Sequence, residues 1–132
     1  MQLTSKDVAM NKGIKTGRSL RLSPMDLRCI DQALEYLDKH YTDKISAEQL
    51  SMEVGLSKDK LQAGLQHRTR QTLHKYLQQV RLEKAKLLLT NTNHPVKAIA
   101  DAAGFVNESH FCKVFKKIHL ISPVQFRYQQ VC

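Results

Sequence analysis

In 132 residues the sequence has no tryptophan, only five glycines and three prolines, and three cysteines. So few turn formers disfavour a many-stranded β-fold and suggest helices. Cys29, Cys112 and Cys132 are odd in number, far apart and without a Cys-x-x-Cys pair. Neither a disulfide framework nor a zinc module is expected, and no metal or other cofactor. Apolar runs such as Leu87-Leu88-Leu89 reach only three residues, too short to cross a bilayer. The N-terminus has no apolar stretch of the kind a secretory signal needs, so neither secretion nor membrane insertion is expected. Acidic residues are also scarce: 12 Asp and Glu stand against 21 Lys and Arg, for a net charge of +9. That excess points to a polyanionic partner. With 42% hydrophobic and 25% charged residues the chain is otherwise an ordinary globular mixture of one-domain length.

Residues 1–22 are basic (Lys6, Lys12, Lys15, Arg18 and Arg21 against Asp7) and show no apolar period, which reads as a leader or the end of a linker. A helix start follows: Ser23 as N-cap, Pro24 at the first helical position and Asp26 three residues past the cap. Leu27, Ile30, Leu34, Leu37 and Tyr41 then mark one helical face, with a stop expected around Tyr41-Thr42-Asp43. Ser46 opens a second helix, with Leu50 and Val54 inward, and Gly55 is placed to end it in a left-handed conformation. Ser57 starts a third helix with Leu61 and Leu65 inward. Two short helices across a tight glycine turn form a helix-turn-helix. A longer helix is expected over about 73–91, ended by turn formers and Pro95.

The pattern then repeats. Val96, Ile99 and Ala103 precede Gly104 as Ala47, Leu50 and Val54 precede Gly55, at an offset of 49, and Phe111 and Phe115 follow as Leu61 and Leu65 do, at an offset of 50. The second turn is one residue longer, with Asn107 as N-cap and Phe105 plugging the core, and Ser122-Pro123 opens a last helix carrying Val124 and Phe126. The expected fold is all-α, with about seven helices in two helix-turn-helix subdomains. The first unit covers about 23–72, the connecting helix about 73–91 and the second unit about 95–130, within a bipartite helix-turn-helix domain over 23–132.

In each unit the second helix has one face committed to the core and another free to enter a DNA major groove. The free faces carry Lys58, Asp59, Gln62, Ala63 and Gln66 in the first unit, and Glu108, Ser109, His110, Cys112 and Lys113 in the second. Gln62 can read adenine through two hydrogen bonds, Lys113 can donate to guanine, Glu108 can accept from a cytosine amino group, and Ala63 can touch a thymine methyl. Ser57 and Asn107 at the helix starts, with Arg68, Arg70, Lys75, Arg81, Lys116, Lys117 and Arg127 around them, are the candidate phosphate contacts that set register.

Gly55-Leu56-Ser57 with Leu61, Tyr76-Leu77 with Arg81-Leu82 and Ala85, Leu88-Leu89, and Ile99-Ala100 with Gly104-Phe105 resemble the DNA-binding domain of the AraC/XylS family. Ser109-His110-Phe111, Phe115-Lys116-Lys117 and Ser122 to Arg127 extend the resemblance, which runs from about Leu27 to Arg127. It implies a bacterial transcription regulator whose two recognition helices address successive major grooves on one side of double-stranded DNA. It also implies a separate sensing and dimerising domain, for which 132 residues leave no room. The chain by itself is expected to act as a monomer, and as a dimer only where such a sensing domain is present, in the cytoplasm, on the nucleoid, with RNA polymerase as a candidate second partner and no membrane. The sequence departs from the family at Gly64, Leu65, Arg70, Leu120 and Phe126. Gly64 in mid-helix costs roughly 1 kcal/mol against Ala, which would loosen the first reading head.

No catalysis is expected. His67 and His74 are expected to be exposed rather than ligands, His110 to face DNA, Cys112 to be a passive groove-facing thiol, Cys29 to pack at the core edge, and Cys132 to be exposed. Three rival functions use the same helices: a DNA-repair alkyl acceptor with a reactive cysteine, a protein-interaction module with only electrostatic affinity for DNA, and an architectural binder without sequence preference.

Overall fold

The computed structural model describes residues 21–130, so most of the basic leader and Cys132 lie outside the described residues. Seven helices follow in order: α1 Pro24–Lys39, α2 Ala47–Val54, α3 Lys58–Thr69, α4 Leu73–Asn91, α5 Val96–Ala102, α6 Glu108–His119 and α7 Pro123–Gln130. Among the described residues there is no strand, and no helix is long and apolar enough to cross a membrane.

Local chemistry sets the helix starts. The Ser23 hydroxyl accepts from the Asp26 amide while the Asp26 carboxylate accepts from the Ser23 amide, a reciprocal cap in front of Pro24. The Ser23 amide, then Lys60 Nζ at 3.1 Å, hold the Asp26 carboxyl below its ordinary range. Ser46, Ser57, Thr72 and Asn107 each accept an amide hydrogen bond at the start of α2, α3, α4 and α6. Ser122 and Gln125 repeat the reciprocal cap at α7. Gly55 ends α2 with φ +76°, a conformation that a β-carbon disfavours.

α1 stops sooner than its apolar period suggests. His40 is its C-cap and its ring stacks on Tyr36, leaving Tyr41 in the loop, half-buried against the first core. The buried face of α1 is Ile30, Ala33 and Leu37, rotated toward the small Ala33.

Two cores share α4. The first joins Ile30, Ala33, Leu37, Ile45, Leu50, Leu61 and Leu65 to Leu73 and Leu77 of α4. The second joins Leu82, Ala85 and Leu89 of α4 to Ile99, Ala100, Ala103, Phe105, Phe111 and Phe115. At 1.5 Å per residue the 19-residue α4 is about 28 Å long, and it passes from one core to the other between Leu77 and Leu82. In the second core Phe111 and Phe126 each meet Phe115 edge-on, with centroids 5.7 and 5.6 Å away.

Candidate nucleic-acid interface

The two helices expected to meet DNA are built alike. α3 buries Leu61, Gly64 and Leu65, and α6 buries Phe111 and Phe115 at the matching positions. Both end on a non-glycine residue in the left-handed region, Arg70 at φ 61° and Leu120 at φ 69°, again 50 residues apart. Repetition therefore extends beyond the helices to their closing turns. With the inward positions fixed, the 3.6-residue period leaves one outward stripe on each helix.

On α3 that stripe exposes Lys58, Asp59, Gln62 and Gln66, with Ala63 half-buried at its edge. On α6 it exposes Glu108, Ser109, His110 and Lys113. Cys112 turns partly inward and packs against the second core, where burial, and then Glu108, push its thiol above the ordinary value. It is less a groove-facing side chain than its position in the sequence suggests. Ser57 and Asn107 use their side-chain oxygens as caps, accepting from the amides of Lys60 at 3.2 Å and His110 at 2.7 Å.

The basic residues separate into two groups. Arg70, Lys75, Lys116 and Lys117 are exposed around the recognition helices. Arg68 is also exposed, but its guanidinium reaches Asp31 on α1 through Nε at 3.2 Å and Nη2 at 3.3 Å. Arg81 and Arg127, expected at phosphates, instead bind backbone carbonyls. Arg81 donates from Nε to Tyr41 at 2.6 Å and from Nη2 to Asp43 at 2.9 Å, and burial lowers its pKa from the usual arginine value. Arg127 donates to Leu89, Thr92 and His94 at 3.3, 3.3 and 2.7 Å, closing the C-terminal end of α4. Carbonyls left without amide partners at loops and helix ends need other donors, and a planar guanidinium can serve several together.

Gly64 has a different role from the one its helix propensity suggests. A β-carbon there would collide with Cγ1 and Cδ1 of the fully buried Ile30. The glycine lets α3 approach α1 closely.

A shallow cleft of about 170 Å³ beside α6 is lined by His74, Leu77, Gln78, Arg81, Phe105, Val106 and His110. His74 and Gln78 of α4 are polar members of this surface. Their spacing with Arg81, at 4 and 3 residues, is a second stripe on α4 that the apolar period hid. Val106 stands in the turn before α6 with 82% of its surface exposed.

Comparison with known proteins gives this surface a context. The sequence profile of a helix-turn-helix domain family matches residues 50–129. YisR of Bacillus subtilis, an uncharacterized HTH-type transcriptional regulator, is 33% identical over 96 residues, 73% of this chain and 33% of its own. AdaA of the same organism, a bifunctional transcriptional activator/DNA repair enzyme, is 33% identical over 102 residues, 77% of this chain and 48% of its own. The chain thus spans a third of the length of YisR and under half that of AdaA. Among solved structures, the C-terminal domain of AraT, a response regulator from Geobacillus stearothermophilus, superposes with a TM-score of 0.72 at 28% identity, covering 83% of this chain and 88% of that one. The profile covers more than half of the sequence, and the chain belongs to this helix-turn-helix family of AraC/XylS type, whose members are DNA-binding transcription regulators.

Proposed function

We propose that the chain reads double-stranded DNA with two heads and thereby regulates transcription, without catalysing a reaction. The supporting observation is the pair of outward polar stripes on α3 and α6, each held by buried anchors 50 residues apart on either side of one shared helix. Gln62 and Gln66 are the proposed readers of the first major groove, with Lys58, Asp59 and Ala63 at their edges. Ser109, His110, Lys113 and Glu108 are those of the second. Arg70, Lys75, Lys116 and Lys117, with the capped helix starts at Ser57 and Asn107, contact the flanking phosphates and supply salt-dependent affinity. Arg68 joins them only by giving up Asp31.

A binding role suits the thiols better than the repair chemistry named for AdaA. Burial, then Glu108, raise the pKa of Cys112 and so disfavour its thiolate, the form in which a cysteine accepts an alkyl group. An alkylation assay on Cys29 and Cys112 tests this directly, with no transfer expected.

The main test is in-vitro selection from random duplex DNA, repeated with Gln62→Ala and Lys113→Ala proteins. The expected result is a bipartite motif with halves about one helical turn apart, each half relaxed by one substitution. Selection of no sequence above random DNA would overturn the proposal.

A further inference from the structure

Outside the apolar spine the two units also touch at a small joint built on Arg81 of α4. Arg81 stands in the stretch of α4 between the last residue of the first core, Leu77, and the first of the second, Leu82. Its side chain does not follow either core. It reaches the loop between α1 and α2, where Nε and Nη2 donate to the carbonyls of Tyr41 and Asp43. Gly104, in the turn that sets the start of α6, comes up to the same place with φ +94°. A β-carbon on Gly104 would lie 2.9 Å from the Tyr41 carbonyl oxygen, 3.0 Å from Arg81 Nε and 3.0 Å from Thr42 Cα. The second unit's turn is therefore in direct contact with the first unit's loop, with the Arg81 guanidinium beside that contact.

All the other substantial helix pairings lie within one unit or involve α4. A helix gripped at each end by a separate core is stiff along its axis, but each small bundle can rock about it. From this geometry we infer that Arg81 is a positioning residue: by fastening the Tyr41–Asp43 loop against Gly104 it fixes the orientation of α3 relative to α6, and so the half-site spacing that the protein accepts. The functional half of this inference rests on the two-head reading above; the mechanical half does not. Lysine at position 81 keeps the positive charge but cannot present a planar fork to two carbonyls.

Two measurements test it together. In the first, without DNA, spin labels are placed at Gln66→Cys and Lys117→Cys in a protein whose native cysteines are serine, and the label-to-label distance distribution is recorded. The parent gives one narrow distribution, and Arg81→Lys broadens it. Gly104→Ala, which presses on the same contact from the other side, also broadens it, whereas Ile99→Val, a change in the second core away from the joint, lowers stability without broadening. In the second, duplexes carry the selected half-sites at the preferred spacing and at spacings longer or shorter by one and two base pairs, with single-half duplexes beside them. Arg81→Lys loses about tenfold in affinity at the preferred spacing and shows a flattened spacing preference, because loosened heads lower each other's effective concentration. Its affinity for a single half stays within about twofold of the parent.

An unchanged distance distribution in both Arg81→Lys and Gly104→Ala proteins overturns the inference whatever the DNA result. An equal proportional loss on single-half and bipartite duplexes also overturns it, since that is the signature of a phosphate contact or of general unfolding. If the parent selects no bipartite motif, the two-head reading falls, and the distance distribution still decides whether Arg81 holds the joint.

Discussion

Gly64 of α3 lies against Ile30 of α1 so closely that no β-carbon fits between them. Ile30 is fully buried and branched at Cβ, so it has little freedom to move aside. Gly64→Ala therefore brings together two opposing effects. Better helix propensity favours alanine by roughly 1 kcal/mol, while overpacking a close-packed core costs about 1–3 kcal/mol. The collision is with Cγ1 and Cδ1 of a fully buried side chain, so the net effect expected in denaturant unfolding is destabilisation. Ile30→Ala removes both atoms in the way, and the double variant should be less destabilised than the sum of the single ones, by about 0.5–3 kcal/mol of coupling.

That contact also marks the boundary of what the sequence made legible. Caps are short-range events within four residues, and Ser23 with Asp26, Ser57, Asn107 and the Ser122-Pro123 start could be seen directly. So could the anchors Leu61, Leu65, Phe111 and Phe115, from which the outward stripes follow by period. Gly64 could not, because its role depends on which helix crosses it. The same holds for Arg81 and Arg127, whose carbonyl partners lie 33 to 40 residues away in sequence. Without those partners a charge reads as surface. Tyr41 continued the period of α1 in sequence, yet the helix had already closed on His40, and it is the Tyr41 carbonyl that matters.

Arg127 and Lys116 should separate structural from phosphate-binding charge. Arg127→Ala leaves the carbonyls of Leu89, Thr92 and His94 without their guanidinium donor, at a cost of about 1–3 kcal/mol in unfolding free energy. The slope of log affinity for DNA against log salt should not change. Lys116→Ala should do the reverse, leaving the unfolding midpoint in place and reducing that slope by about 0.9. Titrations of both variants at several salt concentrations, beside chemical denaturation, check the pair.

His119 gives the fold a dependence on pH. Its Nε2 is buried without a hydrogen-bond partner, and its ring lies 4.6 Å from that of Phe115. Burial, then Lys86, lower its pKa, and Glu83 opposes them only in part. As the pH falls, the unfolded chain takes up this proton first, near the ordinary histidine value of about 6.5. The stabilisation is complete above that value and is lost as the pH falls through it toward the folded pKa. The parent should therefore lose more stability between about pH 7.5 and 5.5 than His119→Phe does. Urea midpoints of the two proteins at both pH values check this, and equal losses would exclude His119 as the source.

Leu120 closes α6 in the left-handed region while leaving 81% of its surface in water. An exposed leucine gains little from burial, and its β-carbon costs about 1–2 kcal/mol at that backbone conformation. Glycine removes this cost, but its freer unfolded chain returns about 0.4–1 kcal/mol of it. Leu120→Gly should therefore stabilise the protein by about 0.5–1 kcal/mol, read as a higher denaturant midpoint at unchanged slope. Arg70→Gly, at the equivalent turn after α3, should give a similar gain in stability, because φ is 61° there and the side chain is exposed. The two variants should differ on DNA. Arg70→Gly also removes a proposed phosphate contact, so it should reduce the salt slope of binding by about 0.9, whereas Leu120→Gly should leave that slope unchanged. Equal slopes in the two variants would mean that Arg70 serves only the turn.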